Sequence, residues 1–157
     1  MIRRGIVVAV DEKTARVRVQ MPDLDGLVSN WLPVVHHKTQ KDKAYWLPDI
    51  GEYVVVAFDE EGEHSDGYVI GAIYNDKDAP PVVSKDKFFV RFEDGTEIEY
   101  DRKSHLLRVK AQTVQIQAGT VIIEANVNVI GNVDVSGNIH ATGSIIDEGG
   151  NTNHHSH

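Results

Sequence analysis

The sequence predicts an all-β protein that uses two architectures in series: a small barrel, then a prism that needs more than one chain to close. Three observations predict it. Apolar residues recur at every second position through most of the chain, which is the period of a strand. Gly, Pro and Asp cut these runs into short pieces. From Asn126 onward the chain repeats itself in blocks of six.

Residues 4–10, 14–20, 29–35, 52–59 and 67–74 read as strands. Val17 and Val19 alternate with Arg16, Arg18 and Gln20; Val54, Val56 and Phe58 alternate with Val55 and Ala57; Tyr68, Ile70 and Ala72 continue the pattern. The pairs Asp25-Gly26, Asp66-Gly67 and Asp94-Gly95 read as turns. The polar stretch from Val35 to Lys43 reads as a loop. Five short strands and one long loop suit a Greek-key barrel of the OB type over residues 1–80. Pro80-Pro81 ends it, because proline cannot donate to a sheet ladder. Residues 81–111 read as connecting strands: a hairpin over 89–100, then a strand over 106–109.

The repeat occupies residues 112–150. Its clearest blocks begin at Asn126, Asn132 and Asn138, with Gly at 131, 137 and 143 and a branched apolar residue at 127, 133, 139 and 145. Such self-similarity marks a β-helical architecture. Few blocks are present, and a single-chain solenoid needs several full coils to bury its own core. Three chains that each donate one face would close a triangular prism and remove the open sheet edges. The expected fold class is therefore all-β: an N-terminal OB-fold barrel followed by an intertwined trimeric triple-stranded β-helix with a pointed C-terminal tip.

Residues 151–157 form that tip. They include His154, His155 and His157, and Gly149-Gly150 just before them would let three chains converge. Residues two apart on a strand share a face, so His155 and His157 point the same way. On a threefold axis they supply six imidazole nitrogens in two layers, an octahedral set that suits iron(II), nickel or cobalt better than zinc. Such ligands must be neutral, so the site should loosen as pH falls through the imidazole pKa of about 6.5. The remaining histidines read blandly: His36, His37 and His64 in polar loops, His105 beside a turn, His140 on an outward position of the repeat.

Composition narrows the function. The formal charge of −8 disfavours a phosphate partner, although residues 1–20 are locally basic through Arg3, Arg4, Lys13, Arg16 and Arg18. There is no Cys and no Gly-x-Ser-x-Gly turn, so nucleophilic catalysis finds no support. Glu60-Glu61 and the pair Glu97 and Glu99 read as solvated carboxylates. No apolar run has the length of a membrane span, and the start of the chain lacks a secretory signal, so synthesis in the cytosol without export by that route is expected.

Several motifs resemble the baseplate assembly protein V, or central spike, family of contractile-tailed phages and R-type bacteriocins. They are Arg16-Val17-Arg18-Val19, Ser29-Asn30-Trp31-Leu32-Pro33-Val34, Trp46-Leu47-Pro48, Gly51-Glu52-Tyr53-Val54 and Gly67-Tyr68-Val69-Ile70-Gly71, followed by the Pro-Pro exit. Asp147, Gly149-Gly150-Asn151 and His155-Ser156-His157 are similar to the family's tip. The resemblance implies a homotrimer with an OB collar attached to tail tube and hub proteins. It implies a needle that pierces the host outer membrane when the sheath contracts. It also implies one iron ion per trimer, held by His155 and His157 of three chains. The particle would be a virion tail or a tail-like bacteriocin, and no nucleic acid or enzymatic activity is implied. Here the chain stops at His157, so its carboxylate would lie beside the metal. Two other functions fit parts of the sequence: a hexapeptide-repeat acyltransferase-like trimer with His140 as base, and an OB-fold nucleic-acid-binding module stacking bases on Trp31, Tyr45, Trp46 and Phe58.

Overall fold

Strand β1 (Ile2–Asp11) carries valines on one side and turns back into β2 (Arg16–Met21) to make an antiparallel hairpin. The computed structural model describes residues 1–59 and 66–146. Along them follow β3 (Leu27–Val28), β4 (Leu32–Pro33), β5 (Tyr53–Phe58), β6 (Gly67–Ala72), β7 (Lys87–Arg91), β8 (Glu97–Asp101) and β9 (Leu106–Lys110). The chain divides into two units, Met1–Thr113 and Val114–His157.

In the first unit, one sheet runs β3-β2-β1-β5-β6, with β4 also paired to β2. A parallel bridge between Val34 and Val69 joins its two ends, and the Val35 N–H donates to the Val69 carbonyl at 2.9 Å. This closure makes the Greek-key barrel of the OB type that the strand pattern predicted. β1 serves both halves: its first residues pair with β5 and its later ones with β2. A bulge at Val8 lets it do so, since an extra residue bends a strand and tightens its twist. The core is the inward row Val7, Val17, Val19, Met21, Leu32, Val54, Val56, Phe58 and Val69.

Three details differ from the sequence expectation. The segment 29–35 is not one strand. Only Leu32–Pro33 within it is a strand; β3 (Leu27–Val28) ends just before it, the two are offset by one register step against β2, and Ser29 is buried between them. In β6, Gly67 and Val69 face inward while Tyr68 and Ile70 face out, because both phases of this strand are apolar and the Val34 bridge selects Val69. Asp66-Gly67 opens a strand and makes no turn there; a side chain at Gly67 would collide with the Ala57 carbonyl. Asp25-Gly26 is a turn, with left-handed backbone at both residues (φ 51° and 78°).

A second sheet, β7-β8-β9, follows the barrel. Its two turns are built on aspartates: Asp94 accepts the N–H and hydroxyl of Thr96 between β7 and β8, and Asp101 accepts the N–H groups of Lys103 and Ser104 between β8 and β9. Asp11 plays the same part for the Lys13 N–H and the Thr14 hydroxyl in the β1–β2 turn. The Asp11 and Asp101 turns end on left-handed residues, Ala15 and His105. Trp46, on the long loop before β5, stacks on Phe92 at 5.8 Å and ties that loop to the second sheet.

Glu99 corrects the expectation of a solvated carboxylate, for it is 5% exposed. Lys87 on one neighbouring strand (3.1 Å) and Arg108 on the other (3.3 Å) both donate to it, and their stems cover it. Glu97 pairs with Arg91 at 3.0 Å. Glu60 and Glu61 lie outside the described residues.

The second unit is different in kind. Its described residues, 114–146, include no strand, and every one is exposed. Among them are Val127, Val129, Val133, Val135 and Ile139, the branched residues of the repeat and their neighbours.

Candidate functional site

The sequence placed its metal ligands at His155 and His157, which lie outside the described residues, as does His154. Among the described residues, no group of three or more His, Asp or Glu side chains could hold a metal ion. His36 is half-buried and stacks on Tyr45 with centroids 6.2 Å apart, so it is a packing residue of the loop and not simply a solvated one. His37 and His140 are exposed, and His64 lies outside the described residues.

The aromatic residues proposed for base stacking separate. Phe58 is part of the barrel core at 4% exposure. Trp31 is exposed, but the Arg18 guanidinium lies 6.0 Å from its ring centre, and Arg18 also donates to the Ser29 carbonyl. Tyr45 and Trp46 line a groove of about 700 Å³ with His36, Pro48, Val69 and Arg91.

What this geometry offers is surface for assembly. The barrel is closed and rigid, and its outward strand faces carry Ile2, Tyr68 and Ile70 in the open around Arg4. Ala57 lies opposite both Ile2 and Tyr68 in the sheet, so this apolar strip crosses three strands. The second sheet has one apolar face and one that mixes charged side chains with Phe89 and Leu106. The repeat exposes a branched apolar side chain in every block.

Residues 3–74 match the Type VI secretion system/phage-baseplate injector OB domain. Beyond the barrel the likeness continues: the Spike protein of Escherichia phage P2 is 35% identical over 109 residues, which cover 69% of this chain and 50% of that protein. These matches support the phage baseplate spike family for this chain. It spans about half the length of the curated spike it matches. The same likeness supports a virion tail or baseplate location.

For a spike, the informative residues are structural. Sequence reasoning missed Ser29 and Glu99, both buried polar groups. For Ser29 the signal was a serine inside an apolar run. For Glu99 it was a carboxylate on a middle strand, opposite Arg108 and one step diagonal from Lys87.

Proposed function

We propose that this baseplate spike works as a homotrimer: an OB collar on the tail hub, and a needle that pierces the host outer membrane when the sheath contracts. The observation that carries this reading is the exposure of the repeat. Val127, Val133, Ile139 and Ile145 are 63–75% exposed in a single chain. Apolar side chains at a strict period, with none of them covered, need walls from elsewhere. Two further copies, each offering the same strip, would complete a triple-stranded β-helix whose ladder bonds run between chains. That arrangement also removes the open edges on which aggregation would start.

The mechanics follow from the winding. Three interlocked strands around a continuous core share an axial load, and the energy of contraction comes from the sheath. No bond is made or broken by this chain. At the tip, His155 and His157 of three chains would hold one iron ion. Six neutral imidazoles suit an octahedral ion, and the metal would bind three chain ends where stress is greatest.

Metal analysis tests the tip. The full chain should carry about one transition ion per three copies, and His155→Ala/His157→Ala should carry none while keeping its native mass. Equal metal content in the double variant would remove the tip from the account.

A further inference from the structure

The long loop before β5 carries two aromatic rings that the barrel core does not use. Tyr45 is 62% and Trp46 66% exposed, and both line the groove of about 700 Å³. Each ring is backed from one side. His36 stacks behind Tyr45 at 6.2 Å with the planes 11° apart, and the Tyr45 hydroxyl donates to the Glu12 carbonyl at 3.0 Å. Phe92 stacks behind Trp46 at 5.8 Å with the planes 15° apart. Both rings are thus fixed in direction, with their opposite faces left to solvent. Asp49 and Glu52 stand on the wall of the same groove. The Glu52 carboxylate accepts the Asp49 N–H at 2.8 Å, which holds it in place by one oxygen, and Asp49 is exposed. Among the described residues, the one Arg or Lys on that wall is Arg91, and Glu97 pairs with it at 3.0 Å.

We propose that this groove binds a neutral oligosaccharide, with Tyr45 and Trp46 as platforms for its sugar rings and Asp49 and Glu52 as acceptors for its hydroxyls. A pyranose ring has an apolar face of C–H bonds and a rim of hydroxyl groups. It fits a flat apolar surface beneath it and carboxylate oxygens at its edge, and the groove offers both. The volume lies within the roughly 300–1,000 Å³ of small-molecule sites. Rings already held in place also lose little freedom when a ligand arrives, which favours binding. Charge decides between a sugar and a nucleic acid, whose bases would stack on the same rings. A phosphate chain would meet two carboxylates, a cation already paired to Glu97 and a net charge of −8, so it is repelled. A neutral sugar meets no such repulsion. A wholly apolar ligand would take the carboxylates out of water and give them no donor. The site lies within Met1–Thr113 and does not depend on how many chains assemble.

Saturation-transfer NMR tests this on the full chain, titrated with linear neutral oligomers of glucose, galactose and N-acetylglucosamine. The expected result is saturable binding of at least one series, with transfer strongest at the ring C–H protons. Tyr45→Ala and Trp46→Ala should each weaken it by about tenfold or more, with the circular dichroism spectrum unchanged. Trp46→Phe keeps a ring against Phe92 and should retain part of the binding, so the platform is tested even where Trp46→Ala disturbs the loop. Trp31→Phe lies outside the groove and should bind as the parent does. No saturable binding in any series, or binding that Tyr45→Ala and Trp46→Ala both retain, overturns the proposal. So does binding of a single-stranded oligodeoxynucleotide in place of the sugars, with a steep fall as salt rises.

Discussion

The hydroxyl of Ser29 accepts the backbone N–H of Val19 at 3.0 Å and donates to the Asn30 carbonyl at 2.7 Å, while the Ser29 N–H donates to the Val19 carbonyl at 2.8 Å. The side chain thus replaces a ladder acceptor where the strand opposite β2 changes register. Ser29→Ala would leave the buried Val19 N–H without an acceptor, a loss of about 1–3 kcal/mol. Urea unfolding should show a lower midpoint with the slope unchanged, and the stability extrapolated to water should fall by that amount.

Leu32 follows the break and is 1% exposed in the barrel core. Truncation to Ala removes buried methyl groups and leaves a cavity. The expected cost is about 2–5 kcal/mol, measured by the same unfolding series. Truncation of Ile2, 71% exposed, should cost far less in the unassembled chain.

The turn aspartates predict a pH dependence. The Thr14 hydroxyl, with the Lys13 and Thr14 N–H groups, holds Asp11 below its ordinary 3.8. The Lys103 and Ser104 N–H groups do the same for Asp101, and Thr96 does it for Asp94. A lowered folded pKa means that these groups stabilise the protein fully above 3.8 and lose that contribution as pH falls through the lower folded values. The melting temperature of Asp11→Asn/Asp101→Asn should therefore lie below that of the parent above pH 3.8, and the gap should close under stronger acid. A gap that persists unchanged there would contradict the assignment.

Glu99 predicts a different sensitivity. Glu99→Gln keeps the shape of the side chain but leaves Lys87 and Arg108 facing each other across β8 without a carboxylate. The sheet should lose about 1.5–3 kcal/mol, the range for hydrogen bonds to charged groups. Hydrogen exchange at the β8 amides should report it.

Most of the barrel was legible in the sequence because β2 and β5 alternate cleanly, with Val17, Val19, Val54, Val56 and Phe58 all inward. The hairpin and the strand after it were legible for the same reason, and the aspartate turns mark their ends. Three things were not. The phase of β6 was hidden because Tyr68, Val69 and Ile70 are all apolar, and only the long-range bridge to Val34 decides between them. The Ser29 break was hidden because a register shift depends on the facing strand. The burial of Glu99 was hidden because its cations come from two other strands. The repeat was legible as a pattern. His155 and His157, the predicted metal ligands, lie outside the described residues.

The central claim is that the needle's core lies between chains. Sedimentation equilibrium of the full chain, over a concentration range around the micromolar, tests it most directly. The account predicts a single species with the mass of three chains of 17.4 kDa, and a folded species with the mass of one chain would contradict it.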